Sequence, residues 1–358
     1  MSYGQTWYDI SATPSATSWQ MIRSLRSAPP GAAHRPGSER GRTFSASLEQ
    51  AEQLFLAARS VGPATSPLLI FYGLSQAGRA IAAAASGREN ANGWKLVGHG
   101  ITNGNEELIT PGSIASLQLL NQRRGGSFTR LAEILGAASL PTPVTLGELW
   151  CLLPESAKFP LPGMGNARPL TISPARHGIR NDALLQGSVW IPKKLITPEV
   201  PLDETADMTA EYDRQRHAVR KYLSRFPSLG EWRFTTPEGQ PAEVRAMNDE
   251  IAEILIEWSK AETEDDKSAL AHYTTGYRSE NLAFPSIGTA PQAPHPLLIW
   301  WAVLYALSKL ARYSPMLWAS VISVDSSPSA VAVERLLQES MVTLPELIHR
   351  TIIEVAKK

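Results

Sequence analysis

Two long apolar segments constrain the fold of this chain more than any other feature of its sequence. The segments 68–85 and 297–312 are each long and apolar enough to form a buried helix, and each contains a related octet. The octets read YGLSQAGR at 72–79 and YALSKLAR at 305–312, with tyrosine, leucine, serine and arginine in register. We therefore predict two continuous buried helices that carry the same polar pattern.

The polar residues of each octet would lie on one face of its helix. They recur at i, i+3, i+4 and i+7, which is the spacing of neighbours along a helix surface. A buried arginine must have partners, so these polar stripes either satisfy structural acceptors or line a cleft that binds a ligand. The candidate residues are Tyr72, Ser75, Gln76 and Arg79 in the first stripe, and Tyr305, Ser308, Lys309 and Arg312 in the second.

The first octet also allows a different interpretation. Residues 68–77 could form a strand and a relaxed Gly-x-Ser-x-Gly turn, which would expose Ser75 as the nucleophile of an α/β-hydrolase-like enzyme. The second octet has Ala306 and Leu310 where the first has Gly73 and Ala77. It therefore reads as uninterrupted helix up to Pro315. If both octets share one structure, that structure is a helix and Ser75 lies in its middle.

The remaining periodicity predicts a mainly α protein. We expect a flexible N-terminal segment over 1–44, a helical region over 45–153, and a second helical region over 204–358 that packs with the first as one core. Between them, 154–203 is rich in proline, which removes backbone donors and suits irregular chain or a small edge-stranded sheet. The predicted fold is a helical-bundle core with a Pro-rich irregular middle that carries a few short β-strands.

Several individual elements can be predicted within this outline. Apolar spacing and end signals indicate helices, and short β-branched pieces in the Pro-rich middle indicate strands. Thr145 and Glu148 stand at capping-box spacing. The predicted helices cover 45–62, 113–121, 127–135, 146–153, 204–226, 242–266, 330–340 and 345–357, and the predicted strands cover 169–173 and 187–192.

Histidines and basic residues provide weaker signals. His99 in GHGIT, and the histidine of RHGIR at 176–180, each stand beside glycine in a predicted loop, where imidazole suits general acid or base work. The chain lacks a cysteine pair and histidines at i, i+4 spacing, so no metal site is predicted. No cofactor motif is recognised either. A basic run is compatible with nucleic-acid binding or with a solvated helix face, and comprises Arg214, Arg216, His217, Arg220, Lys221 and Arg225.

Composition limits the location and the partners. The 34 lysines and arginines equal the 34 aspartates and glutamates, so any contact with nucleic acid must come from a local patch rather than an overall positive field. Cys151 is the single cysteine, which fits a reducing compartment. The start of the chain lacks a signal-peptide pattern, and no apolar run reaches the roughly 20 residues that span a bilayer. We expect a cytoplasmic protein with no membrane span.

Three stretches of the sequence resemble the YaaC-like family of bacterial proteins. They are PLLIFYGLSQAGRAIAAA, LVGHGIT and PLLIWWAVLYALSKLARYSPMLW, of which the Leu-Ser-x-x-x-Arg-Tyr-x-Pro-x-x-Trp signature at 307–318 is the most specific. The octet is similar, more loosely, to a helix of HEPN domains. That resemblance implies small helical bundles, many of them ribonucleases in toxin and phage-defence systems. Their Arg-x-x-x-x-His motif is missing from this sequence, which weighs against HEPN-type cleavage.

The sequence thus leads to one favoured function and two alternatives. The favoured one is a defence- or stress-associated helical protein that acts on RNA, a nucleotide or a protein partner through a cleft lined by the two stripes. The first alternative is a non-catalytic interaction or regulatory protein with structural stripes, and the second is the Ser75 hydrolase. Whether the protein is an enzyme stays open at this point.

Overall fold

The chain divides into two compact units. Unit 1 consists of Met1–Asn166 and Pro296–Lys358, and unit 2 consists of Ala167–His295. The computed structural model describes residues 14–86, 93–175, 183–197 and 208–357.

Helices form most of unit 1 and a smaller part of unit 2. The α-helices of the described residues are α1 (Pro14–Ser27), α2 (Glu39–Ala58), α3 (Ser66–Ala84), α4 (Ser127–Leu135), α5 (Leu146–Trp150), α6 (Met208–Leu223), α7 (Asp266–Leu270), α8 (Pro296–Tyr313), α9 (Pro315–Val321) and α10 (Ala330–Lys357). Among the parts of the chain that the structure describes, no helix combines the length and apolarity needed to cross a lipid bilayer.

Strands occur in both units. They are β1 (His99–Asn103), β2 (Gln118–Gly126), β3 (Val144–Thr145), β4 (Leu170–Pro174), β5 (Leu184–Pro192), β6 (Arg233–Phe234), β7 (Val244–Met247), β8 (Ile251–Ser259), β9 (Thr275–Tyr277) and β10 (Glu280–Ala283). Unit 1 holds a sheet of order β1-β2-β3. In unit 2, strands lie in the order β6-β8-β5-β4-β10-β9, and β7 also pairs with β8.

The prediction of a mainly α protein is therefore wrong. All described strand pairs are antiparallel, and the two sheets make this a mixed α and β protein. The largest error lies at 242–266, which was expected to be helical but contains β7 and β8. Buried residues alternate along β8 at Ala252, Ile254, Ile256 and Trp258, which is the period of a strand. Ala252, Leu255 and Ile256 stand at i, i+3 and i+4, so the segment is also compatible with a helix, and only pairing with β5 decides between the two.

That pairing forms the centre of unit 2. Strands β5 and β8 are in register over nine residues, from Leu184 opposite Ser259 to Pro192 opposite Ile251. The apolar face of the sheet packs against α6 through Val219 and other buried residues of one core cluster. The predicted strands 169–173 and 187–192 are confirmed as β4 and part of β5.

Unit 1 is built around α3, which is buried on nearly all sides. Two glycines allow neighbouring helices to approach it closely. A Cβ atom on Gly73 would lie 2.8 Å from the Phe55 ring of α2, and one on Gly78 would lie 2.5 Å from the Trp301 ring of α8. The prediction that 68–85 and 297–312 each form one continuous buried helix is confirmed by α3 and α8.

Other local predictions have mixed outcomes. The helix at 127–135 is confirmed as α4, and the Thr145–Glu148 capping box opens α5. The helix expected over 113–121 is wrong, because β2 begins at Gln118 and pairs with both β1 and β3. The two helices expected at the C-terminal end are one helix, α10, with Pro345 inside it.

The N-terminal part of the chain contains one helix that the sequence analysis did not predict, α1, and one, α2, that begins earlier than predicted. Helix α1 buries Trp19 and Ile22. Helix α2 begins at Glu39 rather than after Ser45, because the Ser38 side chain accepts a hydrogen bond from the backbone N–H of Gly41 and so caps the first turn. Both helices lie partly or wholly inside the range 1–44 that was expected to be flexible.

Candidate functional site

The two octets lie on adjacent, antiparallel helices of unit 1. Early in α3, Tyr72 contacts Arg312 near the end of α8, whereas late in α3 the backbone of Gly78 lies against Trp301 near the beginning of α8. The first stripe therefore runs opposite in direction to the second. By the helical rise, Tyr72 and Arg79 are about 10 Å apart along α3, so Arg79 and Arg312 lie at different levels of the same helix pair.

Arg312 is held between two aromatic rings. Its guanidinium group donates a hydrogen bond to the Tyr72 hydroxyl oxygen and lies 5.6 Å from the centre of the Tyr72 ring and 4.5 Å from that of Tyr313. Its Nε atom is buried and has no hydrogen-bond partner in the described part of the chain. Aromatic rings stabilise a cation without neutralising it.

Arg79 likewise has no carboxylate partner among the residues that the structure describes. Its guanidinium group donates to Gln76 Oε1 at 3.0 Å, within the same helix. Among the described residues, no aspartate or glutamate oxygen lies within 4.0 Å of the guanidinium nitrogens of Arg79 or Arg312. Both positive charges of the stripes thus remain uncompensated by an ion pair with these residues.

His99 lies between aromatic side chains of the two helices. Strand β1 begins at His99, and its ring centre is 5.8 Å from that of Phe71 and 5.6 Å from that of Tyr305. Burial lowers the pKa of His99, and the charges of Arg312 and Arg79 lower it further. The imidazole is therefore neutral at pH 7, and both arginines are close enough to it to act through their charge.

The third cation of the stripes is paired. Lys309 Nζ lies 3.0 Å from Glu106 Oε2, and Glu106 also accepts hydrogen bonds from the Ser314 hydroxyl at 2.7 Å and from Asn103 Nδ2 at 3.3 Å. Burial alone would raise the pKa of Glu106, but the hydrogen bonds from Ser314 and Lys309 outweigh it and lower that pKa. Glu106 stays ionised and neutralises Lys309.

The remaining polar residues of the stripes are buried among the helices. Ser308 donates its hydroxyl hydrogen to the backbone oxygen of Tyr305 at 2.9 Å, which is a local helix contact. Burial raises the pKa of Tyr305, and a hydrogen bond with Thr102 acts in the opposite direction. Ser75 is buried in the middle of α3, with helix rather than strand before it. The strand-turn-helix geometry of a nucleophile elbow is absent from this described segment, so the hydrolase interpretation is wrong.

The structure therefore joins most of the predicted site residues and adds four more. Tyr72, Arg79, Arg312, His99 and Tyr305 form one group that we call the arginine cluster, with Lys309 beside it. Sequence reasoning missed Asn103, Glu106, Tyr313 and Ser314. The last two directly follow the second octet and could have been taken from the Arg-Tyr-x-Pro signature. Glu106 carries no local signal, because its partner Ser314 is 208 positions away.

Exposed apolar side chains lie in the same part of unit 1. Tyr313, the last residue of α8, is 65 % exposed, and Met316 in α9 is 84 % exposed. Leu108, 72 % exposed, belongs to the short turn that begins at Glu106. The Glu106–Ser314 hydrogen bond joins these two segments at the edge of the arginine cluster.

The other sequence signals do not join this site. The RHGIR segment lies outside the described residues. In unit 2, the basic run belongs mainly to α6 but does not form one basic face: Arg214 pairs with Glu211 at 2.7 Å, and Arg216 is buried and bonded to Thr236 and to the Gln240 backbone oxygen.

Comparison with known protein families gives one match. A family model described as YaaC-like Protein matches residues 16–352, which covers nearly all of the chain and includes parts of both units. No curated protein and no solved structure shows significant similarity to the chain.

Proposed function

The chain belongs to the YaaC-like protein family, and on that premise we propose that it binds a phosphate-bearing ligand, a nucleotide or a segment of RNA, at the arginine cluster. The observation that carries this proposal is the pair of arginines, Arg79 and Arg312, that have no ion pair with a described carboxylate. Guanidinium groups are well suited to phosphate, because their parallel N–H groups match its oxygens.

The surroundings of the two arginines favour an anion over a neutral ligand. Glu106, the carboxylate beside the arginine cluster, already neutralises Lys309. His99 is half-buried, and its pKa is lowered first by burial and then further by the charges of Arg312 and Arg79. A phosphate bound at these groups would reduce the repulsion that the charges of Arg79 and Arg312 exert on this side of the helix pair.

The exposed ring of Tyr313 supports a ligand with bases. Single-stranded RNA is commonly held by bases stacked on aromatic side chains, with arginine on the backbone. Tyr313 and Arg312 provide these two features side by side: the Tyr313 ring is largely exposed, and its centre lies 4.5 Å from the Arg312 guanidinium carbon. RNA or a nucleotide thus fits the cluster better than inorganic phosphate does.

Binding of a short fluorescent RNA, measured by anisotropy, tests the proposal. We expect the Arg79→Ala and Arg312→Ala variants each to bind at least tenfold more weakly, with a melting temperature that is unchanged or higher because like-charge repulsion is relieved. Arg350→Ala is the matched control: it removes a surface arginine paired with Glu346 on α10 and should leave binding unchanged. A loss of several degrees in both cluster variants, with no RNA binding by the parent protein, would show that the arginines are structural.

A second candidate function is a docking site for another protein. The exposed side chains of Leu108, Tyr313 and Met316 favour it, since the Glu106–Ser314 hydrogen bond joins the segments that carry them and exposed apolar patches are typical of interfaces. The substitution Met316→Asp separates the two candidates: it should abolish binding of a protein partner but reduce RNA binding only modestly. The association with defence or stress stays a prediction from the sequence, and neither candidate depends on it.

A further inference from the structure

Unit 2 contains a cavity that is independent of the arginine cluster. It has a volume of about 620 Å³ and lies where the end of α6 meets the turn that leads into β6. Cavities of roughly 300–1,000 Å³ are typical of small-molecule sites. Its walls include Leu223, Phe226 and Pro227 on one side and the segment from Gly230 to Arg233 on the other.

The cavity has an aromatic wall. The Trp232 ring packs edge-on against that of Phe234, with 5.0 Å between their centres, and Trp232 is only partly buried. Phe226 is almost fully buried beneath the cavity. Such a wall suits a planar ring, because flat aromatic groups stack on partly exposed indole rings.

The cavity also has a positive side. The guanidinium carbon of Arg220 lies 5.9 Å from the centre of the Trp232 ring and 5.4 Å from that of Phe234. Arg220 forms no ion pair with a carboxylate of the described residues. Arg233, which also lines the cavity, is 3.9 Å from Glu257, a long contact to a mostly exposed arginine that is weak.

A third arginine, outside the lining of the cavity, adds to this positive charge. Arg216 lies 4.3 Å from the centre of the same Phe234 ring. Burial lowers the pKa of Arg216, the charge of Arg220 lowers it further, and the carboxylates of Glu238 and Asp213 act in the opposite direction. One carboxylate, that of Glu231, lines the cavity, against the two arginines Arg220 and Arg233.

We propose that this cavity binds a nucleoside monophosphate, with its base on the Trp232 wall and its phosphate on Arg220 and Arg233. The lining suits a ligand that carries both a ring and an anionic group, since aromatic and cationic side chains lie side by side there. The site does not depend on the proposed function of unit 1.

The test uses AMP and the full chain, with affinity measured by calorimetry. We expect Arg220→Gln and Trp232→Ala each to weaken AMP binding at least tenfold. Lys221→Ala is the matched control, because it removes an exposed cation from the same helix without touching the cavity, and it should change the affinity less than twofold. Adenosine and inorganic phosphate should each bind at least tenfold more weakly than AMP.

Photo-crosslinking separates this site from the arginine cluster. With 8-azido-AMP, peptide mapping should place the label between 220 and 233, and Arg79→Ala should leave that label in place. Label found only in unit 1, or an affinity for AMP that Arg220→Gln and Trp232→Ala leave unchanged, would overturn the proposal. Because Trp232→Ala could disturb the sheet, Trp232→Phe is the second variant: it keeps a ring and should retain more binding than alanine if the ring is what holds the base.

Discussion

The close contact of α3 with α8 leads to a prediction that runs against helix propensity. Replacing a glycine inside a helix with alanine normally stabilises a protein by about 1 kcal/mol. At Gly78 we expect the reverse, because a Cβ atom there would lie 2.5 Å from Trp301 Cζ3 and 3.0 Å from its Cη2. Trp301 is fully buried, so its ring has little room to move.

The magnitude follows from these opposing effects. Overpacking a filled core costs about 1–3 kcal/mol, and a contact shorter than real Cβ atoms show lies at the upper end of that range. Subtracting the gain of about 1 kcal/mol in propensity leaves a net loss of about 1–2 kcal/mol for Gly78→Ala. The helices would separate slightly, so the contact between Arg312 and Tyr72 should weaken as well.

Urea unfolding followed by circular dichroism measures this change. The stabilities of Gln53→Ala and Gln53→Gly are compared to measure the gain from helix propensity alone, because Gln53 is exposed in the middle of α2. Trp301→Phe provides the rescue: its smaller ring makes room for the Cβ atom, and it loses no hydrogen bond because the Trp301 indole nitrogen has no partner in the described residues. Gly78→Ala should cost less in that background. If Gly78→Ala raised the stability by the same amount as the Gln53 pair, the packing argument would be refuted.

Three further predictions concern single side chains. His99→Gln should reduce the pH dependence of the free energy of unfolding. Burial and the nearby charges lower the pKa of His99 in the folded state, so the parent protein loses stability as pH falls below about 6.5. If the variant lost the same stability over the same pH range, the prediction would be contradicted. Thr145→Ala should cost about 1 kcal/mol in thermal unfolding, since it removes the cap that Thr145 and Glu148 form; an unchanged melting temperature would show that the cap is dispensable. Trp258→Phe should lower the free energy of unfolding in urea by about 2–3 kcal/mol, because the buried backbone oxygen of Leu229 loses its 2.8 Å hydrogen bond from the indole. A decrease below about 0.5 kcal/mol would argue against that bond.

Local patterns in the sequence were sufficient for the elements whose stability is local. The apolar segments of α3 and α8, the capping box at Thr145 and the proline-bounded strand β4 could each be predicted, because neighbouring residues determine periodicity and end capping. Helix α10 shows the limit of such rules, since tertiary packing overrides the break expected at Pro345.

Long-range pairing decided what the local patterns left open. Residues 251–259 are compatible with both a helix and a strand. They form a strand because β5, whose residues pair with residues 59 to 75 positions further along the chain, offers hydrogen bonds along nine residues. The same is true of the site. The sequence by itself determined that each octet would present a polar stripe with one arginine, since helical spacing alone requires it. Only the tertiary structure decided that Lys309 would be neutralised by Glu106 while Arg79 and Arg312 would not be neutralised by any described carboxylate, because charge compensation depends on which side chains the fold brings within a few ångströms.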